Sequence, residues 1–250
     1  ASELFVRCDA GNPGKVYDSI ELCYRGHGVS AVSGMTFDNI ALFYAGSHGV
    51  AHGSASNVKY TNMEIGWIGG SAQNANNGSI TRFGNGIEVY GGCDGFVIDN
   101  CYVYQCYDAG ITHQISKTSH GNYYMENVVY SNNVLCDSTY NIEYFMSNDE
   151  NSETSERFMD GVLFEDNLVR RAGYGWGQQR HNFYTPALIK GWSYDNDARD
   201  FSIHHNIFDR SAYRMLHLVA RKEKYCPKLC GNTYIQYTGG MIGQWGGNEN

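Results

Sequence analysis

No run of basic residues occurs anywhere in this chain of 250 residues, whose formal net charge is −8. A nucleic-acid partner is therefore not expected, because phosphate binding needs clustered Lys and Arg. No apolar stretch reaches the length of a membrane span, so no membrane association is expected either. The eight cysteines show no paired C-x-x-C spacing, which speaks against zinc, and the Asp and Glu residues are too dispersed for calcium. Neither a metal nor a cofactor is expected. Helical periodicity of useful length is missing. Asn-Gly or Asp-Gly turns do not recur in the series that an antiparallel sandwich would need.

What is abundant is glycine and aromatic side chains: 30 Gly, 20 Tyr and 11 Phe beside 3 Pro, with only 18% charged residues. This suits many short strands joined by tight turns. Cys101, Cys106 and Cys136 lie in apolar runs and read as small core residues. Cys226 and Cys230 are close enough in sequence to be bridged, which would fit an extracellular setting.

A degenerate repeat runs through the chain. Short segments end in Asn and continue into an apolar strand, as in Asp38-Asn39-Ile40, Thr61-Asn62-Met63 and Asp99-Asn100-Cys101. Later examples are Asn132-Asn133-Val134, Asp166-Asn167-Leu168, His205-Asn206-Ile207 and Gly231-Asn232-Thr233, where the register can shift by one residue. Asn tolerates the left-handed backbone of such turns, and its amide can bond to the next repeat. A second strand follows each Asn. It reads Val50-Ala51, Ile87-Glu88, Ile111-Thr112, Ile142-Glu143, Ile189-Lys190, Leu216-His217 and Ile242-Gly243, with Ile20-Glu21 as an earlier member. Neighbours along a strand point to opposite faces, so the aliphatic residues line a bore and the residues after them face out.

Repeats of this length match one turn of a solenoid built of short strands, and parallel crossovers are right-handed almost without exception. The expected fold is all-β: a single right-handed parallel β-helix over residues 1–250 with an Asn ladder. No amphipathic cap is evident at either end, which is compatible with a segment of a longer solenoid. Across roughly residues 15–245 the repeat texture and Asn ladder resemble the pectin-lyase-like right-handed β-helix superfamily. That resemblance implies a protein active on, or binding, polysaccharide, since the superfamily holds polysaccharide lyases, glycoside hydrolases and phage tailspikes.

The outward column offers Glu88, Thr112, Glu143, Lys190 and His217. Two residues further along each strand a second column offers Tyr90, Gln114, Phe145, Trp192 and Trp245. Glycoside hydrolysis needs two carboxyl groups, and the candidates are Glu88, Glu143 and Asp108, the last just before the Thr112 strand. Lys190 is placed to keep Glu143 ionised. Lys190 and His217, with Arg82 and Arg180, would instead serve the β-elimination of a lyase. Two insertions, 69–84 and 173–184, enter the same strand column and carry Arg82, Trp176 and Arg180 toward a bound chain. Tyr90, Trp192 and Trp245 offer stacking platforms. The connection 148–157 reads as a flexible surface loop, and His27 in Gly26-His27-Gly28 as a turn residue. The expectation is a secreted or cell-surface glycoside hydrolase acting on a polysaccharide or oligosaccharide. A polysaccharide lyase and a noncatalytic glycan-binding or tailspike-like protein stand as alternatives.

Overall fold

The computed structural model describes residues 7–20, 24–74, 81–179, 185–192, 195–237 and 240–246. The chain is a parallel β-helix. Each turn lays one strand on each of three parallel sheets in fixed order, then repeats one step along. The first turn runs through Val29–Ser30, Thr36–Asp38 and Ala41–Phe43. The first sheet has eight strands, ending with Arg214–Ala220 and Gly240–Gly246, and the other two have seven each. A small antiparallel hairpin, Ala72–Asn74 with Thr81–Arg82, projects from the 69–84 insertion.

Three aliphatic and aromatic columns fill the bore. On the first sheet Val29, Val50, Ile87, Ile111, Ile142, Ile189, Leu216 and Ile242 align in register. The second sheet contributes Phe37, Tyr60, Ile98, Tyr130, Phe164 and Ile203. The third contributes Leu42, Ile65, Val103, Leu135, Val169 and Phe208. From Val50 to Leu216 the first column is almost wholly excluded from solvent. Burial of this kind is the main favourable contribution to folding. Cys101, Cys106 and Cys136 are buried as expected.

Glycine before the aliphatic residue has a steric cause. A Cβ on Gly49 or Gly86 would stand 2.5 Å from the carbonyl oxygen of the next turn, and one on Gly110 would stand 2.7 Å away.

The Asn repeat resolves into two adjacent columns. Asn39, Asn62, Asn100, Asn132, Asp166, His205 and Gly231 all have positive φ at the turn between the second and third sheets. The residue after each forms a separate inner column. In the last four turns this is Asn133, Asn167, Asn206 and Asn232, whose amides bond in series at 2.9 to 3.0 Å. In the earlier turns Met63 and Cys101 fill that position, and Cys101 N–H donates to Asn133 Oδ1. The expected single ladder thus changes register by one residue between Asn100 and Asn133.

Three further expectations are corrected. The turn before Val50 is Val29–Ser30, not Ile20-Glu21. Ile20 is 50% exposed, and Glu21 lies outside the described residues. Cys230 is an exposed free thiol, so no Cys226–Cys230 bridge forms. The 148–157 connection is held by a buried ion pair. Arg157 lies 3.3 Å from Asp149 and donates to the carbonyl oxygens of Ser116, Ser119, Gly121 and Ser147. Asp149 in turn accepts from Gly121 N–H, Asn151 N–H and Ser155, and contacts His120 at 2.9 Å. These hydrogen bonds hold its carboxyl far below the usual range.

Candidate functional site

The outward column of the first sheet is as the strand alternation requires. Ser30, Ala51, Glu88, Thr112, Glu143, Lys190, His217 and Gly243 stand on successive turns. Glu88 and Glu143 are therefore two steps apart, about 10 Å between backbones at the usual strand spacing. Tyr90, Gln114 and Phe145 align two residues further along. Trp192 follows them, its backbone N–H bonded to Tyr144 O at 3.1 Å.

At mid-column an open depression of about 630 Å³ is lined by Asp108, Gln114, Glu143, Phe145, Ser147, Trp192 and Asp195. Glu143 forms its floor and is nearly buried. Its carboxylate accepts from Thr112 Oγ1 and Gln114 Nε2, both at 3.2 Å, and from Trp192 Nε1. Donors converging on one carboxylate, with Lys190 on the next turn, make a setting for an anion. Trp192 keeps 44% of its surface exposed while its indole N–H grips Glu143. Asp108 stands at the rim where its strand begins, its backbone N–H bonded to Gly84 O at 3.1 Å.

Lys190 is fully buried. Its Nζ donates to Thr185 Oγ1 at 2.7 Å and lies 3.9 Å from the Trp192 ring centroid and 5.4 Å from that of Tyr140. Burial pulls its pKa down to about 8, aided by Arg214 and opposed by Glu143. His217, half-buried on the next turn, is lowered to about 4 by burial and by the neighbouring Lys190 and Arg214. It is neutral at pH 7.

The structure therefore brings Asp108, Glu143 and Trp192 together, with Lys190 beneath them and His217 one turn on. Tyr90 is exposed further up the groove. Trp176 is placed differently: it packs edge-on against Tyr107 at 4.9 Å, donates through Nε1 to Gln105 O, and closely approaches Gly70. It joins the two insertions and is not among the residues lining the depression. Arg82 lies exposed on the hairpin, with Nη1 donating to Gly70 O. Arg180 lies outside the described residues, as does the side chain of Trp245.

Glu88 belongs to a second cluster. Its Oε2 lies 2.6 Å from His48 Nε2 and 2.9 Å from Asn85 Nδ2. His48 is buried and stacks on His27 at 5.1 Å, while Phe83 packs edge-on against both rings. His27 is thus more than a turn residue.

Sequence reasoning missed His48, Asn85, Tyr140 and Asp195. Tyr140, Ala187 and Arg214 share one column two residues before the bore aliphatics. His27, His48 and Asn85 hold the same position in the earlier turns, relative to Val29, Val50 and Ile87. Reading that column alongside the outward ones would have found all but Asp195. Asp195 follows Trp192 by three residues in a connection, and accepts from Asn148 N–H and Nδ2.

No protein-family model, curated protein or solved structure matches the chain. The reading of this groove rests on its own geometry.

Proposed function

We propose that the groove binds a glycan chain and hydrolyses one of its glycosidic bonds, with Asp108 and Glu143 as the paired carboxyl groups. One observation carries this reading: three carboxyl residues, Asp108, Glu143 and Asp195, and an exposed indole line a single depression in the outward face of the first sheet, and Asp195 is engaged by Asn148. Hydrolysis of an acetal needs one carboxyl to protonate the leaving oxygen and a second, ionised, to activate water or to attack the anomeric carbon. Glu143, held by several donors, suits the ionised role. Asp108, lining the same depression at its rim, is assigned the role of proton donor by its position. Trp192 supplies a flat apolar face for the C–H side of a sugar ring. The repeat texture that resembles the pectin-lyase-like superfamily agrees with this assignment, and a substrate of polymer size is met outside the cell, which favours a secreted or surface-bound protein.

Lys190 separates the hydrolase from the lyase reading. Elimination needs a base that touches the sugar, and Lys190 is covered by Trp192 and engaged with Thr185. The test is a polysaccharide panel scored for both new reducing ends and ultraviolet-absorbing unsaturated products. Reducing ends without absorbance, lost in both Asp108→Asn and Glu143→Gln, are the expected result. Unsaturated products would replace hydrolysis by elimination, and binding without cleavage would leave a glycan-binding protein.

A further inference from the structure

The His48–Glu88 cluster is built, with His48 and Asn85 buried and Glu88 partly open, and is not used by the cleavage chemistry. The Asn85 backbone N–H donates to His48 Nδ1 at 3.2 Å. That nitrogen is therefore placed to accept, which leaves Nε2 to donate to Glu88 Oε2 at 2.6 Å. The Asn85 side-chain amide donates to the same oxygen. Both donors thus converge on Oε2, and Oε1 accepts from no described residue. Burial alone would raise the Glu88 carboxyl, but the hydrogen bonds from His48 and Asn85, with the electrostatic influence of His48 and His27, outweigh it and hold the group below its usual pKa. A carboxylate held in this way favours its ionised form. It can accept hydrogen bonds.

Its surroundings select what it accepts. On its own strand the neighbouring outward side chain is Tyr90, with an exposed ring. On the next two turns the facing side chains are Thr112, Gln114, Glu143 and Phe145. No cation stands among these described residues to balance a uronate, and a second fixed anion would repel one.

We infer that Glu88, locked by His48 and Asn85, is a subsite that accepts hydroxyl groups of a neutral sugar unit about two turns from Glu143 and so sets a minimum substrate length. This rests on the glycan-groove reading above. Glu88 is a positioning residue. It holds the chain in register over Glu143 and takes no part in bond breaking.

The test is calorimetric binding of cello-, xylo- and manno-oligosaccharides from disaccharide to octasaccharide, with oligogalacturonides of the same lengths, in the Glu143→Gln background. Parallel turnover is measured with Glu143 intact. At least one neutral series should show a step in affinity once the chain is long enough to reach Glu88. Glu88→Gln should remove that step, weakening long chains about tenfold, the scale of a hydrogen bond to a charged group, while short chains change little. His48→Gln, which retains an N–H donor, should preserve the step, and His48→Phe should abolish it. Equal weakening at every length, no weakening, no binding of any neutral series, or preference for oligogalacturonides would each overturn the inference. So would loss of turnover in Glu88→Gln as deep as in Glu143→Gln. A length step without cleavage would sink the hydrolase reading and leave this one standing. Cleavage without a step would do the reverse.

Discussion

Glu143 shows how a side chain on a regular strand becomes special through its neighbours. The turn before supplies Thr112 and Gln114, the turn after supplies Lys190, and Trp192 closes over it. Glu143→Gln keeps the shape and removes the charge. Turnover on a confirmed substrate should fall at least about a hundredfold, the usual scale for losing a general base, with melting temperature and glycan affinity near wild type. Trp192 has two separable duties. Trp192→Phe keeps a ring but removes the N–H that orients Glu143, so it should lower kcat more than affinity. Trp192→Ala removes the stacking face as well and should weaken glycan binding by about 1 kcal/mol. Binding should also quench the indole fluorescence of wild type, and an unchanged emission spectrum on saturation would place the ligand elsewhere.

At the scale of elements, two devices hold turns together where the hydrophobic columns do not reach. The inner Asn ladder is one. Asn167 accepts from the Asn133 backbone and amide and donates to Tyr130 O and Asn206 Oδ1. Asn167→Ala orphans buried groups on both sides, so chemical denaturation should show a loss of about 2 to 3 kcal/mol, whereas Asn62→Ala in the exposed outer column should cost less. Arg157 is the other device. Arg157→Leu leaves Asp149 charged and loses the carbonyl clasp, so limited proteolysis should cut within 116–122 or 147–156 in the variant and spare wild type. The strands and the outward columns were legible because alternation and the Gly-aliphatic texture are local signals. The ladder shift was not, because Asn at the left-handed position and Asn one residue later look alike in sequence and both bond between turns, as Asn100 does to Asn62 at 2.6 Å, differing in whether the amide is exposed or buried. The order of the 148–157 connection was illegible for another reason: Arg157 reaches carbonyl groups up to 41 residues away, and no local pattern encodes such a clasp. Likewise the contact of Glu88 with His48, 40 residues upstream, leaves no local mark in the sequence.

Across the whole molecule, histidines enclosed in the bore or half-buried on the first sheet make the solenoid acid-sensitive. His113 is fully enclosed, hydrogen-bonded to Tyr130, and lowered to about 3 by burial and by nearby His52. His52 is also lowered by burial, and His217 falls to about 4. Each resists protonation when folded more than when unfolded, where a histidine takes a proton near pH 6.5. Stability is therefore complete above about pH 6.5 and is lost as pH falls toward the folded values, by up to about 1.4 kcal/mol per unit for each group. Melting temperature should drop between pH 7 and pH 5, and His113→Gln should flatten that slope. If the two proteins melt in parallel across this range, His113 does not drive the effect. The parallel stacking that builds the bore has a further effect on the groove. Every outward column advances by one hydrogen-bonded strand spacing per turn, so the distances among Tyr90, Glu143 and Trp192 are fixed by the backbone and not by side-chain choice. The face is a ruler graduated in whole turns. Its reach can change only in quanta, by duplication or deletion of a complete turn, and each such event would move one subsite relative to the rest by a single graduation while leaving the internal geometry of both halves untouched.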